Sequence, residues 1–187
     1  MQRPENLLLV FFGMVATGKS YLASAWAKHY DVPYYNSDRV RKKLAGLDPE
    51  TSQQEEVDKG IYTPEFSRRT YDALIEYAEH CFQADKQACV VLDGSYQSLS
   101  ERDLLRKYFT DMVRLVFVHC TCSEEVVKKR LDIRTSDPDA VSDGNWQIYL
   151  AQKERFQPVT NKEHVIELDT DAPLNVLIQK VATEVII

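Results

Sequence analysis

The residues with the most chemistry to offer lie near the start of the chain, in the run Gly13-Met14-Val15-Ala16-Thr17-Gly18-Lys19-Ser20. Glycines at its first and sixth positions admit backbone angles that a side chain forbids, so successive N–H groups can turn inward as an anion nest. A helical pattern follows directly, and its N-terminus adds partial positive charge to that nest. In this arrangement the Lys19 ammonium reaches β- and γ-phosphates and the Ser20 hydroxyl is placed to ligate Mg²⁺. The cradle is expected to run from Gly13 to Tyr21, the first helical residue past Ser20, and it predicts binding of a nucleoside triphosphate.

Binding alone does not choose a chemistry, so the other polar residues at strand ends matter. The apolar run before Asp93 (Val-Val-Leu-Asp-Gly) reads as a buried strand that delivers a carboxylate to the mouth of a sheet. There it could hold Mg²⁺ directly or through water. A second strand ends at Asn36-Ser37-Asp38-Arg39-Val40-Arg41. Asp38 would emerge at the same mouth, able to accept the proton of an attacking hydroxyl, and Arg41 one helical turn later could hold an anionic or polar acceptor. Capping of the helix by Ser37 or Asp38 is the competing use of these residues, and the two uses can coexist. Farther on, Val126, Arg130 and Arg134 align along one helix beside an apolar stripe of Val127 and Leu131. Two arginines running into the polar segment 135–145 suit a lid, with Arg130 or Arg134 stabilising charge on a transferring phosphoryl group. No guanine-reading Asn-Lys-x-Asp occurs; the nearest string, Thr160-Asn-Lys-Glu-His164, precedes an apolar run and reads as a loop.

What must position these groups is an alternation of strands and helices. Short apolar runs at 7–12, 32–35, 88–92, 113–118 and 165–168 suit strands buried on both faces of a parallel sheet. Between them, Leu22/Ala25/Trp26/His29, Leu74/Tyr77/Ala78/Cys81 and Leu174/Leu177/Ile178/Val181 follow helical spacing. Thr63-Pro64-Glu65 reads as a helix start, and Ser100-x-x-Asp103 and Thr121-x-x-Glu124 resemble capping boxes. The fold class expected is α/β, with one domain over 1–187, an acceptor-binding insertion near 38–63 and a lid near 134–146.

The 187 residues carry 23 Lys+Arg against 29 Asp+Glu, a net charge of −6, which disfavours a non-specific grip on nucleic acid. Four cysteines (Cys81, Cys89, Cys120, Cys122) form no disulfide or zinc framework and read as small buried hydrophobes in a reducing compartment. No apolar stretch reaches the roughly 18 residues a membrane span needs. Reading the N-terminal Leu7–Ala16 run as a leader would cut through the glycine motif, so a cytoplasmic location is expected.

The strings GMVATGKS, NSDRVRKKLAGL, GIYTPEFSRRTYDALIEYAEHC, VVLDGSY, KKRLDIR and VSDGNWQIYLAQKERFQPV together resemble the small P-loop kinases of the nucleoside-, sugar- and polynucleotide-kinase type. The likeness is nearest to a branch of ATP-binding kinases also found fused to an aminoglycoside-phosphotransferase-like domain. It implies a P-loop NTPase fold with a five-stranded parallel sheet, helices on both faces and a lid. It also implies ATP and Mg²⁺, with transfer of the γ-phosphate. Asp38 and Arg41 look like the acceptor-activating pair of polynucleotide-kinase-like enzymes, Arg130 looks like the lid arginine, and the loop Asp169 to Pro173 is where such kinases hold the adenine. The expected function is phosphotransfer from ATP to a hydroxyl of a small-molecule or nucleoside-like acceptor. The alternatives are a polynucleotide 5′-hydroxyl kinase, which the net acidity disfavours, and an ATP-binding interaction module. Tyr34, Tyr35, Tyr62, Tyr96 and Trp146 are as suited to choosing the acceptor as to packing.

Overall fold

Each of the five apolar runs forms a strand: β1 Asn6–Phe12, β2 Tyr34–Asn36, β3 Cys89–Gly94, β4 Val113–Thr121 and β5 Val165–Asp169. They pair in parallel in the order β2-β3-β1-β4-β5. The computed structural model describes residues 6–50, 59–85, 88–109, 113–135, 144–160 and 165–185. The helices are α1 Lys19–Tyr30, α2 Ser37–Leu44, α3 Pro64–Ala84, α4 Leu99–Tyr108, α5 Glu124–Thr135, α6 Trp146–Arg155 and α7 Leu174–Val185. A 3-10 turn at Gly60–Tyr62 precedes α3.

Period-two alternation in β1 decides which helices cover which face. Leu8, Val10 and Phe12 point into one core with Val40 of α2, Leu74 and Ala78 of α3 and Leu105 of α4. Leu9 and Phe11 point into the other with Leu22 and Trp26 of α1 and Leu177 and Val181 of α7. These five of the seven β1 side chains are completely buried, each contributing about 1.5–3 kcal/mol relative to exposure, so both faces of the sheet must be covered. A smaller third cluster joins Val15 and Ala16 to Val127 and Leu131 of α5 and Tyr149 of α6.

The helix starts differ from the sequence reading in three places. Thr63 caps α3, accepting the Phe66 N–H, with Pro64 in the first turn as expected. For α4 the capping box is Ser98 with Glu101, two residues before Ser100/Asp103, because Ser98 is the last residue in extended geometry. At α5 the Ser123 hydroxyl, and not Thr121, accepts the Val126 N–H; Thr121 is still in β4. For α2 the cap is Asn36, whose side chain accepts the Arg39 N–H, and this leaves Asp38 for other work.

Of the expected lid, 136–143 lie outside the described residues, as do 51–58 of the expected acceptor insertion and 161–164 of the Thr160–His164 string. All four cysteines are free, but only Cys120 is fully buried; the other three are partly exposed. Among the described residues, no helix is long and apolar enough to cross a membrane.

Candidate functional site

β1 ends in the middle of the sheet, and the chain must leave it into the crevice where strand order reverses, the place ligands occupy in such folds. Residues 13–18 make that exit. Gly13 has φ +145°, and a Cβ there would meet the Cys120 carbonyl oxygen of β4 at 2.4 Å. Gly18, at φ +82°, caps α1. Ala16 also takes positive φ, +60°, and the Thr17 hydroxyl donates to Met14 O at 2.8 Å to close the loop. Among the described residues no acceptor takes the N–H groups of Gly18, Lys19 or Ser20. They form the open end of a helix joined to a nest, the arrangement that binds phosphate. Lys19 Nζ donates to Met14 O at 3.3 Å. Burial holds its pKa below the ordinary lysine value; attraction to Asp93 opposes that shift and repulsion from Arg134 adds to it.

Asp93 is fully buried at the C-terminal end of β3, in register with Asn36 of β2 and Phe11 of β1. Its Oδ2 accepts from Asn36 Nδ2 at 2.6 Å and from Tyr34 OH at 2.8 Å. Burial, together with the neighbouring Asp93 charge, raises the Tyr34 pKa and keeps the phenol a donor. The other oxygen, Oδ1, is buried with no partner among the described residues. An orphaned carboxylate oxygen beside an ammonium and a phosphate nest suits a hydrated Mg²⁺, which takes one or two protein oxygens and completes its shell from phosphates and water. The described residues contain no cluster of three His, Cys, Asp or Glu that would hold a metal alone. Ser20 and Asp93 therefore fit Mg²⁺ delivered with a nucleotide.

A cavity of about 800 Å³ opens from the loop over Lys19 and Ser20 toward α2, α3, α4 and α6. Asp38 lines it, with Oδ1 accepting from Tyr62 OH at 2.8 Å and Oδ2 paired with Lys42 Nζ at 2.7 Å. Lys42 is completely buried, one turn along α2, a partner that sequence inspection passed over among three consecutive basic residues. A carboxylate has about four lone-pair sites, so Asp38 retains acceptor capacity toward the cavity. Arg41 also lines the cavity but is 6% exposed and already engaged. Its Nη1 donates to Ile61 O at 2.7 Å and Ser67 Oγ at 3.0 Å, and its guanidinium lies 5.1 Å from the Tyr62 ring centroid. Nε and Nη2 have no acceptor among the described residues.

The two arginines of α5 separate. Arg130 donates through Nη2 to Thr170 O at 2.8 Å and through Nη1 to Thr170 Oγ1 at 3.0 Å and Ala16 O at 3.3 Å. It ties the phosphate loop to the start of the 169–173 segment, and Val127 and Leu131 on either side of it pack against Val15 and Ala16. Arg134, one turn on, is close enough for its charge to act on Lys19. Among the aromatic candidates, Tyr34 and Tyr62 hold Asp93 and Asp38, while Tyr96 is core, 1% exposed. Tyr35 packs on Tyr77, and Trp146 stacks on Tyr149. Gln152 and Arg155 of α6 line the cavity and were not singled out from sequence, since no local motif marks them.

Comparison with known proteins agrees with this architecture. A gluconokinase from Sinorhizobium meliloti 1021 superposes with a TM-score of 0.61 at 20% identity, over 98% of this chain and 92% of that one. The APS kinase CysC of Mycobacterium tuberculosis, solved with AMPPNP and APS, gives 0.67 at 17% identity over 97% and 98%. Shikimate kinase from Aquifex aeolicus vf5 gives 0.57 at 14% identity over 96% and 95%. At these identities the likeness is one of fold, a five-stranded parallel sheet flanked by helices as in P-loop kinases. No curated protein sequence matches significantly. A family model does match, over residues 8–159, from β1 through the phosphate loop to the segment after α6, and by that match the chain belongs to the AAA domain family AAA_33.

Proposed function

We propose that the protein is an ATP-dependent phosphotransferase that moves the γ-phosphate of ATP to a hydroxyl of a small-molecule or nucleoside-like acceptor. The observation that carries this reading is the shared cavity: Lys19 and Ser20 of the phosphate loop open onto the same space as Asp38 and Arg41. Kinase fold neighbours support it, one solved with a nonhydrolysable ATP analogue and others acting, by name, on gluconate and shikimate. The likeness to the branch also found fused to a phosphotransferase-like domain rests on the sequence strings.

The N–H groups of Gly18, Lys19 and Ser20 cradle the phosphates of the nucleotide, and the Lys19 and Arg134 charges offset those of its β- and γ-phosphates. Ser20 and Asp93 would hold Mg²⁺, which would supply charge neutralisation to the phosphates. Asp38 accepts the proton of the acceptor hydroxyl as its oxygen bonds to the γ-phosphorus, while the bond to the bridging oxygen breaks and ADP leaves. Lys42 and Tyr62 hold that carboxylate in place. Arg41 offers Nε and Nη2 to a polar or anionic group of the acceptor, and Arg130 with the 169–173 loop forms the base side of the nucleotide site.

The test is transfer of radiolabelled phosphate from ATP to panels of sugars, sugar acids, nucleosides and oligonucleotides. Asp38→Asn is expected to lower transfer about 10²–10⁴-fold with nucleotide binding kept. Equal transfer by that variant overturns the assignment of Asp38, and preference for oligonucleotide ends selects the polynucleotide kinase. Micromolar ATP binding with transfer to none of them selects the interaction module.

A further inference from the structure

One contact across the site belongs to none of the groups above. The backbone N–H of Val15, inside the phosphate loop, donates to Oε1 of Gln152 at 2.6 Å, across 137 positions of sequence. A backbone N–H can only donate, so the atom facing it must be the amide oxygen, and this fixes the orientation of the whole amide. Nε2, with its two donors, is left on the other side. Among the described residues no acceptor takes it, and Gln152 lines the cavity together with Val15, Lys19 and Ser20.

The helix that carries Gln152 is held firmly. Asn145 caps α6 through the Ile148 N–H, and Trp146 lies between Tyr149, stacked at 5.0 Å, and Lys128 Nζ, 4.7 Å from its centroid. Lys153 pairs with Glu124 at 2.8 Å. Past the helix, Phe156 stacks on His119 and Phe12, and the Arg102 guanidinium donates to the Gln157 carbonyl at 3.0 Å. A polar group fixed at both ends of its helix and by its own hydrogen bond is preorganised, and a preorganised amide donor next to a phosphate nest is an electrostatic asset.

We propose that Gln152 is a recognition residue for the terminal phosphate: its Nε2 donates to the γ-phosphate of a bound nucleoside triphosphate and extends the row of loop N–H donors into the cavity. Through it α6, which also lines the acceptor side, distinguishes a triphosphate from a diphosphate. This rests on the nucleotide-binding part of the proposed function and is independent of the acceptor.

The experiment compares Mg-AMPPNP and Mg-ADP binding by calorimetry to the full chain and to Gln152→Glu and Gln152→Ala. Gln152→Glu keeps an oxygen for the Val15 N–H but turns a carboxylate toward the phosphate. It is expected to weaken AMPPNP binding by about tenfold or more, with ADP affinity within about twofold of the parent. Gln152→Ala is expected to lower the AMPPNP-to-ADP affinity ratio by a smaller factor. ADP binding serves as the control for folding. An unchanged ratio in both variants overturns the proposal, as does equal weakening of both nucleotides, which marks a structural tie. Tighter binding to Gln152→Ala overturns it too, since the amide would then compete with phosphate for the loop. If the parent binds neither nucleotide, the reading of the loop itself falls.

Discussion

Replacing Gly13 by Ala isolates the geometry on which the phosphate site depends. At φ +145° the backbone is in a region that costs a non-glycine residue about 1–3 kcal/mol. The new methyl would sit 2.4 Å from the Cys120 carbonyl oxygen and 3.0 Å from Thr17 Oγ1. Thr17 can rotate away, but Cys120 cannot retreat: it is fully buried in β4, between β1 and β5. Forcing a methyl into close packing adds about 1–3 kcal/mol. The total, roughly 2–6 kcal/mol, is a large share of the 5–15 kcal/mol typical of a domain. Gly46 is the internal control, since it has φ +72° and nothing within 4 Å of an added Cβ. Gly46→Ala bears only the left-handed backbone cost, about 1–2 kcal/mol. Urea unfolding with a slope near 2 kcal/mol/M, typical for small proteins, should place the Gly13→Ala midpoint about 1–3 M below the parent, and lower than that of Gly46→Ala. Equal midpoints for the two variants would falsify the claim that the loop leaves β1 pressed against the Cys120 carbonyl.

Two further outcomes are expected. Burial lowers the Lys19 pKa in the free protein, and bound phosphate raises it. Nucleotide binding should therefore take up a proton at alkaline pH, with affinity falling as pH rises from the free-state toward the bound-state pKa. Calorimetry in buffers of different ionisation enthalpy reads this uptake, and its absence would show that Lys19 does not meet phosphate. Thiol chemistry gives the second. Burial pushes Cys120 up to about 12 and Cys89 up to about 11, so both should resist a disulfide reagent at pH 8 until urea unfolds the chain. Fast labelling of Cys120 in the native protein would contradict its position under the phosphate loop.

The sheet and the phosphate loop were legible in the linear chain because local physics specifies them. Five short apolar runs can only be buried on both faces, and they became five parallel strands. Gly13, Gly18, Lys19 and Ser20 carry their meaning in their spacing, since backbone angle, helix terminus and reach all act within eight residues. The capping residues of α4 and α5 were misplaced by two positions because several hydroxyls competed, and only the strand ends decided among them.

What no local pattern could give is which distant groups meet. Asp38 is clamped by Lys42 and by Tyr62, which arrives from a turn before α3, and Arg41 is engaged by that turn and by α3's first residues. Arg130 and Arg134 share one stripe in sequence, yet a single helical turn ties one to the loop carbonyl of Ala16 and leaves the other near Lys19. Gln152 reaches Val15 across most of the chain. These pairings depend on the crossing of helices over the sheet, a product of both hydrophobic cores together, and such long-range packing leaves no periodic trace in the sequence.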